Sequence, residues 1–251
     1  MLLFEGVGVA LLTIFNADLS IDTGASAHLA EALVQHGVAA VIVSGTTGEA
    51  FSLDRQERID LIKAVKAAVN VPVIAGTGAP SIMQAAILTK DAHQAGADGM
   101  LALTPAGTVD PRPYYAALRA AAGSRWLGGY HFPAIAAPGI ELELLDELEI
   151  DACKDSTGDA GRLLAEVTAH TTPIYPGSSA LVLMAGQLGT PGVILAAANA
   201  APDLCVRAFG GDVEAFKELA PMHAATGRRH PHGIKAAAAE RFGVADFVRI
   251  A

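Results

Sequence analysis

Residues 38–69 read VAAVIVSGTTGEAFSLDRQERIDLIKAVKAAV. The run Val41-Ile42-Val43 is apolar throughout, as a parallel strand covered on both faces must be. A turn of glycines and hydroxyls follows, Ser44-Gly45-Thr46-Thr47-Gly48-Glu49. Asp54 with Glu57 three residues later forms a capping box, and Ile59, Ile62, Val65 and Val69 then make one apolar helical face. Strand, turn and helix make one unit, and the unit recurs. Strand candidates are Val7–Phe15, Ala39–Ser44, Val71–Ala75, Gly99–Leu103, Trp126–Phe132, Ile150–Lys154, Pro173–Tyr175 and Gly192–Leu195. Ser81 can cap a helix ending near Gly96, and Leu29, Leu33 and Val34 line an earlier one that Gly37 can end. Eight strands, each followed by a helix, point to an α/β protein, a closed (β/α)8 TIM barrel. The alternative, an open doubly wound sheet, lacks its G-x-G-x-x-G at the first βα turn. The barrel is expected over residues 1–201. Residues 202–251 would add the last barrel helix and a C-terminal helical appendage of the same domain, with Asp212–Leu219 and Ile234–Phe242 as helices.

The chain has 251 residues, 52% hydrophobic and 17% charged, enough for a sizeable core. A formal net charge of -9 argues against nucleic acid or an anionic membrane as the main partner. It leaves room for an anionic small substrate, which a few local groups can hold. Two cysteines, Cys153 and Cys205, make a disulfide framework improbable and suggest a reducing cytoplasm. Met1-Leu2-Leu3-Phe4-Glu5 has no basic start or cleavage pattern, and no apolar run is long enough to span a bilayer.

In such a barrel the working groups come from the carboxyl ends of the strands. The Ser44–Glu49 turn offers hydroxyls and backbone N–H groups suited to a carboxylate, though a plain glycine-rich turn reads equally well. Tyr130, in Tyr130-His131-Phe132-Pro133, carries a phenol that could relay protons; a half-buried structural tyrosine is the plainer reading. Lys154 closes an apolar strand. A lysine in a barrel mouth loses hydration, which favours the neutral amine able to attack a ketone carbon. Ser178 and Ser179 follow the seventh strand, and Ala198-Asn199-Ala200-Ala201-Pro202 follows the eighth. Both could touch substrate or simply cap helices. Cys153 should point away from Lys154, toward the helices.

At these residues the sequence resembles the dihydrodipicolinate synthase / N-acetylneuraminate lyase family of class I aldolases and lyases. The resemblance rests on Gly45-Thr46-Thr47-Gly48-Glu49, Tyr130-x-x-Pro133, Lys154 in Lys-x-x-x-Gly-Asp, and Gly192-Val193-Ile194 leading to Ala198–Pro202. It covers nearly the whole chain. It implies that Lys154 forms a Schiff base with pyruvate or a related 2-oxo acid. Tyr130 would shuttle protons, Thr46 and Thr47 would bind the pyruvate carboxylate with Thr46 also in the relay, and Gly45 would be a substrate-binding residue of the same turn. Ser178, Ile194 and His131 would line the substrate pocket. It further implies no cofactor, no metal, an aldehyde as second partner, and a homodimer or homotetramer.

The departures bear on substrate. Lysine-pathway synthases carry a tyrosine pair after Thr-Pro on the fourth strand, where Ala106-Gly107 follow Thr104-Pro105. They also carry an arginine soon after Tyr-x-x-Pro, where Ala134-Ile135-Ala136-Ala137 stand. Sialic acid lyases have acidic residues where Ser178 and Ser179 lie. The pattern resembles members acting on 4-hydroxy-2-oxo acids or 2-keto-3-deoxy sugar acids. Dihydrodipicolinate synthesis, a non-catalytic barrel that binds 2-oxo acids, and dehydration or decarboxylation through the same imine are the alternatives. His230-Pro231-His232, after Arg228-Arg229, lacks a third metal ligand in sequence. His93, His170 and His223 fall on helical segments, and Tyr114-Tyr115 reads as helix packing or interface.

Overall fold

The computed structural model describes residues 2–227 and 229–250. Of the sequence readings, Met1 of the N-terminal segment and Arg228 of the Arg228-Arg229 pair lie outside these. Eight parallel strands run in the order β7-β6-β5-β4-β3-β2-β1-β8. They are β1 (Gly6–Ala10), β2 (Ala40–Val43), β3 (Val73–Gly76), β4 (Gly99–Leu103), β5 (Trp126–His131), β6 (Ala152–Asp155), β7 (Ile174–Pro176) and β8 (Gly192–Leu195). β7 lies against β8 and closes the barrel. Around it run α1 (Thr23–Gln35), α2 (Arg55–Ala68), α3 (Ile82–Gln94), α4 (Arg112–Ala122), α5 (Ala160–Ala169), α6 (Val182–Gln187) and α7 (Pro202–Phe209). Three more helices follow: α8 (Val213–Glu218), α9 (Ala220–Gly227) and α10 (His232–Phe242). The (β/α)8 barrel with C-terminal helices is therefore the fold. Among the described residues no helix is long and apolar enough to cross a membrane.

Local chemistry sets the boundaries. Asp54 accepts from the Glu57 N–H while the Glu57 side chain accepts from the Asp54 N–H, so the capping box starts α2. Ser81 accepts from the Gln84 N–H and starts α3. On α2 the buried face is Leu61, Ile62 and Val65; Ile59 and Val69 are only half-buried at its edge.

Two expectations need correction. The apolar run Val7–Phe15 is a strand only as far as Ala10. Beyond it the Leu11 N–H still reaches the Ile42 carbonyl, but the Leu12 N–H donates to Asn199 Oδ1 at 3.0 Å and the Ile14 N–H to Ser26 Oγ at 2.9 Å. These residues stay buried among α1, the segment after β8 and α10, whose Lys235 lies over the Phe15 ring. Nor does every strand have its helix. Between β5 and β6 the chain makes only a 3-10 segment, Leu142–Glu147. Pro138-Gly139 interrupts that link, and few residues remain before β6 in which to build a helix.

The core has two layers. Inside the barrel lie Phe4, Ala10, Ala40, Ile42, Ile74, Leu101, Trp126, Tyr130, Ala152, Tyr175 and Ile194. Phe4 and Tyr175 meet with ring centroids 4.7 Å apart, and the Tyr175 hydroxyl donates to the Phe4 carbonyl at 2.8 Å. The alternate residues, such as Val41, Val43, Met100, Leu127 and Cys153, face the helices. Each large side chain fully buried this way contributes roughly 1.5–3 kcal/mol. Cys153 is free and wholly buried, which pushes its thiol pKa up.

Candidate active site

The carboxyl ends of the strands open onto a cavity of about 310 Å³. Thr46 and Thr47 reach it from the turn after β2, Tyr130 from β5, Lys154 and Ser156 from β6, and Gly177, Ser178 and Ser179 from the end of β7. Ala196 and Ala197 close one side, and His223, Thr226 and His230 come from α9 and the turn after it.

Lys154 sits opposite Tyr130 on the neighbouring strand, and its Nζ lies 4.2 Å from the centre of the phenol ring. Strand alternation decides the surroundings. Ala152 and Lys154 point inward, while Cys153 and Asp155 point toward the helices. Asp155 cannot pair with its neighbour Lys154. It accepts from Arg162 Nε at 2.7 Å and from the Thr157 N–H at 2.6 Å. Arg162 Nε also lies 3.0 Å from Glu166 Oε1. Burial, then the Asp155 charge, push the Glu166 carboxyl up to about 8. A close approach frees the space around the amine: a Cβ on Gly177 would come within 2.0 Å of Ser156 Oγ and 3.0 Å of Lys154 Cε.

The β2 turn is bent and braced. Ser44 and Glu49 hold positive φ of 54° and 55°. A Cβ at Gly76 would fall 2.1 Å from the Ser44 carbonyl oxygen, so only glycine lets β3 end against the turn. Behind the turn Glu49 forms an ion pair with Lys235 at 2.6 Å, both fully buried. Glu49 Oε2 also accepts from the backbone N–H groups of Arg249 at 2.8 Å and Ile250 at 3.0 Å. The backbone N–H groups of Thr46 and Thr47 have no backbone acceptor among the described residues, and both residues line the cavity.

Six of the residues expected from sequence meet here: Lys154, Tyr130, Thr46, Thr47 and Ser178 around the cavity, and Gly45 around a smaller pocket that shares Thr46, Tyr130 and Lys154. Two do not. Ile194 lies in the inner layer beneath the cavity and does not line it. His131 follows Tyr130 on the strand and so points the other way, behind the barrel wall. Its Nδ1 accepts from the Ile140 N–H at 2.8 Å, and burial, aided by Arg162, lowers its pKa to about 4. It cannot touch substrate from there. Tyr114 and Tyr115 are packing residues, as expected: Tyr115 is buried, its hydroxyl 2.8 Å from Thr104 Oγ1 and donating to the Ala102 carbonyl at 2.9 Å. Sequence reading missed Ser156, His223, Thr226 and His230. Ser156 carried a signal, standing two residues beyond Lys154. The others come from an element outside the barrel repeat.

With this geometry in hand, the comparisons are consistent. Residues 3–215 match the model of the dihydrodipicolinate synthetase family. A 4-hydroxy-tetrahydrodipicolinate synthase of Thioalkalivibrio sulfidiphilus is 35% identical over 232 residues, covering 86% of this chain and 79% of the relative. A DapA-like lyase of Halobacterium salinarum is 35% identical over 234 residues, covering 88% and 76%. Among solved structures, the chloride-inhibited dihydrodipicolinate synthase of Acinetobacter baumannii complexed with pyruvate superposes with TM-score 0.87 at 28% identity, covering 98% of this chain and 92% of that one. The Aquifex aeolicus dihydrodipicolinate synthase gives TM-score 0.85 at 29% identity, covering 98% and 91%.

Proposed function

The chain belongs to the dihydrodipicolinate synthetase family of lyases, and on that premise we propose that Lys154 forms an imine with pyruvate and that the enzyme makes or breaks a C–C bond beside it. The observation that carries this reading is the position of Lys154: 7% exposed, at the cavity floor, against Tyr130, with no carboxylate within ion-pair distance among the described residues.

The steps follow from the donors present. The carboxylate of the 2-oxo acid rests on the N–H groups and hydroxyls of Thr46 and Thr47. Lys154 Nζ attacks C2, and the carbonyl oxygen takes a proton from the Tyr130 phenol to give a carbinolamine. Loss of that oxygen as water leaves the protonated imine. In cleavage, the C4 hydroxyl gives its proton to the Tyr130 phenolate, the C3–C4 bond breaks, and its electron pair moves into the imine to form an enamine. The C4 fragment leaves as an aldehyde. Protonation at C3 and hydrolysis then release pyruvate. Condensation runs the same sequence backwards.

The substrate on this reading is a 4-hydroxy-2-oxo acid or a 2-keto-3-deoxy sugar acid. Ala106-Gly107 and the uncharged Ala134–Ala137 segment support it, since no cation stands there to hold a second carboxylate. A second reading, 4-hydroxy-tetrahydrodipicolinate synthesis, is supported by the name of the Thioalkalivibrio relative. One experiment tests the common chemistry. Sodium borohydride added with pyruvate should leave a reduced adduct on the peptide carrying Lys154 and none on Lys154→Arg protein. Absence of the adduct across the tested pH range would refute the imine. Pyruvate release or consumption with a panel of aldehydes, including aspartate semialdehyde, separates the two substrates.

A further inference from the structure

The segment after α10 returns across the molecule to the turn after β2. Ser44 opens that turn and Glu49 closes it, both in the left-handed region at φ of 54° and 55°. A residue other than glycine persists there only where its surroundings hold it. Within the turn, the Glu49 N–H donates to the Thr46 carbonyl at 3.1 Å and the Ala50 N–H to the Gly45 carbonyl at 3.1 Å. From outside, Glu49 Oε2 accepts the N–H groups of Arg249 and Ile250, and Oε1 meets Lys235. Thr46, on the cavity wall, is therefore linked through Glu49 to the backbone of residues 249–250.

One side chain ties this segment down. The Arg249 guanidinium donates to both Glu57 carboxylate oxygens, at 2.8 and 2.6 Å, and to the carbonyls of Leu19 at 2.7 Å and Ser52 at 3.1 Å. Its central carbon lies 4.4 Å from the centre of the Phe15 ring, and Lys235 Nζ lies 4.3 Å from the same ring. Neither Arg249 nor Glu57 lines the cavity. Any effect of that ion pair on a bound 2-oxo acid must pass through the turn.

We infer that Glu49 and Arg249 are positioning residues. Residues 247–250 act as a strap that holds Thr46 and Thr47 in the geometry that receives the carboxylate of pyruvate. This rests on the reading that those threonines take the carboxylate, and adds the device that sets them. Linkage is reciprocal: the factor that pyruvate loses when the strap opens is the factor by which pyruvate must hold the strap closed.

Two measurements on the whole chain test this. The first is the pyruvate concentration that half-saturates the initial rate of borohydride trapping on Lys154, which does not depend on how much protein is folded. Arg249→Met should raise it about tenfold and leave the maximal rate per folded protein unchanged. Glu57→Gln, which keeps an oxygen for the Asp54 N–H, should raise it similarly, and Arg249→Lys should recover part of the loss. The second needs no variant. In wild-type protein, saturating pyruvate should slow hydrogen exchange at the Arg249 and Ile250 amides by about tenfold. An unmoved half-saturating concentration in Arg249→Met, or strap amides indifferent to pyruvate, overturns the inference. The wild-type adduct separates the failures. No adduct overturns the imine and this strap with it, while a normal adduct with either negative result overturns the strap alone.

Discussion

Lys154 and Lys235 are both buried, and each holds its nitrogen over an aromatic ring, Tyr130 at 4.2 Å and Phe15 at 4.3 Å. Their surroundings differ in one respect. Lys235 faces Glu49 at 2.6 Å and donates to the Phe247 carbonyl at 2.5 Å, with no open space beside it. Burial lowers its pKa, and the Glu49 carboxylate opposes that. Lys154 has only the phenol ring, hydroxyls and a cavity, because the one acid next to it in sequence is turned outward to Arg162. A buried amine with a carboxylate partner is a structural charge. A buried amine beside an open cavity is available to react.

Removing each lysine in turn tests that contrast. Lys154→Ala should carry the largest effect, lowering turnover by about 10⁴-fold or more, since the proposed covalent step would have no substitute. Its urea unfolding free energy should change by less than half as much as that of the other lysine variant. Comparable losses of stability in the two would break the distinction. Lys235→Ala comes next, because it strands Glu49 as a buried charge. Removal of one partner of such a pair costs about 3–5 kcal/mol, read as a lower urea midpoint at unchanged slope. If the midpoint holds, Glu49 has found other donors, and its bonds to the Arg249 and Ile250 N–H groups are the first to suspect.

A third test concerns the acid cluster around Asp155, the residue that strand alternation turns away from Lys154. A carboxyl raised from 4.5 to about 8 means that folded protein holds a proton at Glu166 which the unfolded chain has released. Stability from this group is complete below pH 4.5 and is lost as pH rises to about 8. In Glu166→Gln protein that slope disappears. The stability difference between wild type and variant should therefore drift across the window and level off above it. A difference that stays flat throughout would mean Glu166 titrates normally.

Much of the barrel was legible because its cause is local. Val41-Ile42-Val43 has no polar alternation, and Asp54 with Glu57 caps its helix through contacts three residues apart. Tyr130 and Lys154 stood at strand ends, so their meeting followed once the strands were known to be adjacent. His131 misled because its neighbour on the strand was right; a residue one step along faces the opposite side. Ile194 misled differently, by pointing inward one layer too deep. The Val7–Phe15 run was overread because burial alone does not make a strand. Asn199 and Ser26, which take its later N–H groups, are distant in sequence or belong to other elements.

The sequence by itself determined the repeat of strand and helix, the glycine-hydroxyl turn and the lysine that closes an apolar strand. These depend on periodicity and on bonds between near neighbours. Only the tertiary structure decided that Glu49 is braced by Lys235 and that His223 and His230 overlook the cavity. Those contacts join residues from different elements far apart in the chain, and no local spacing encodes which distant side chain will arrive there.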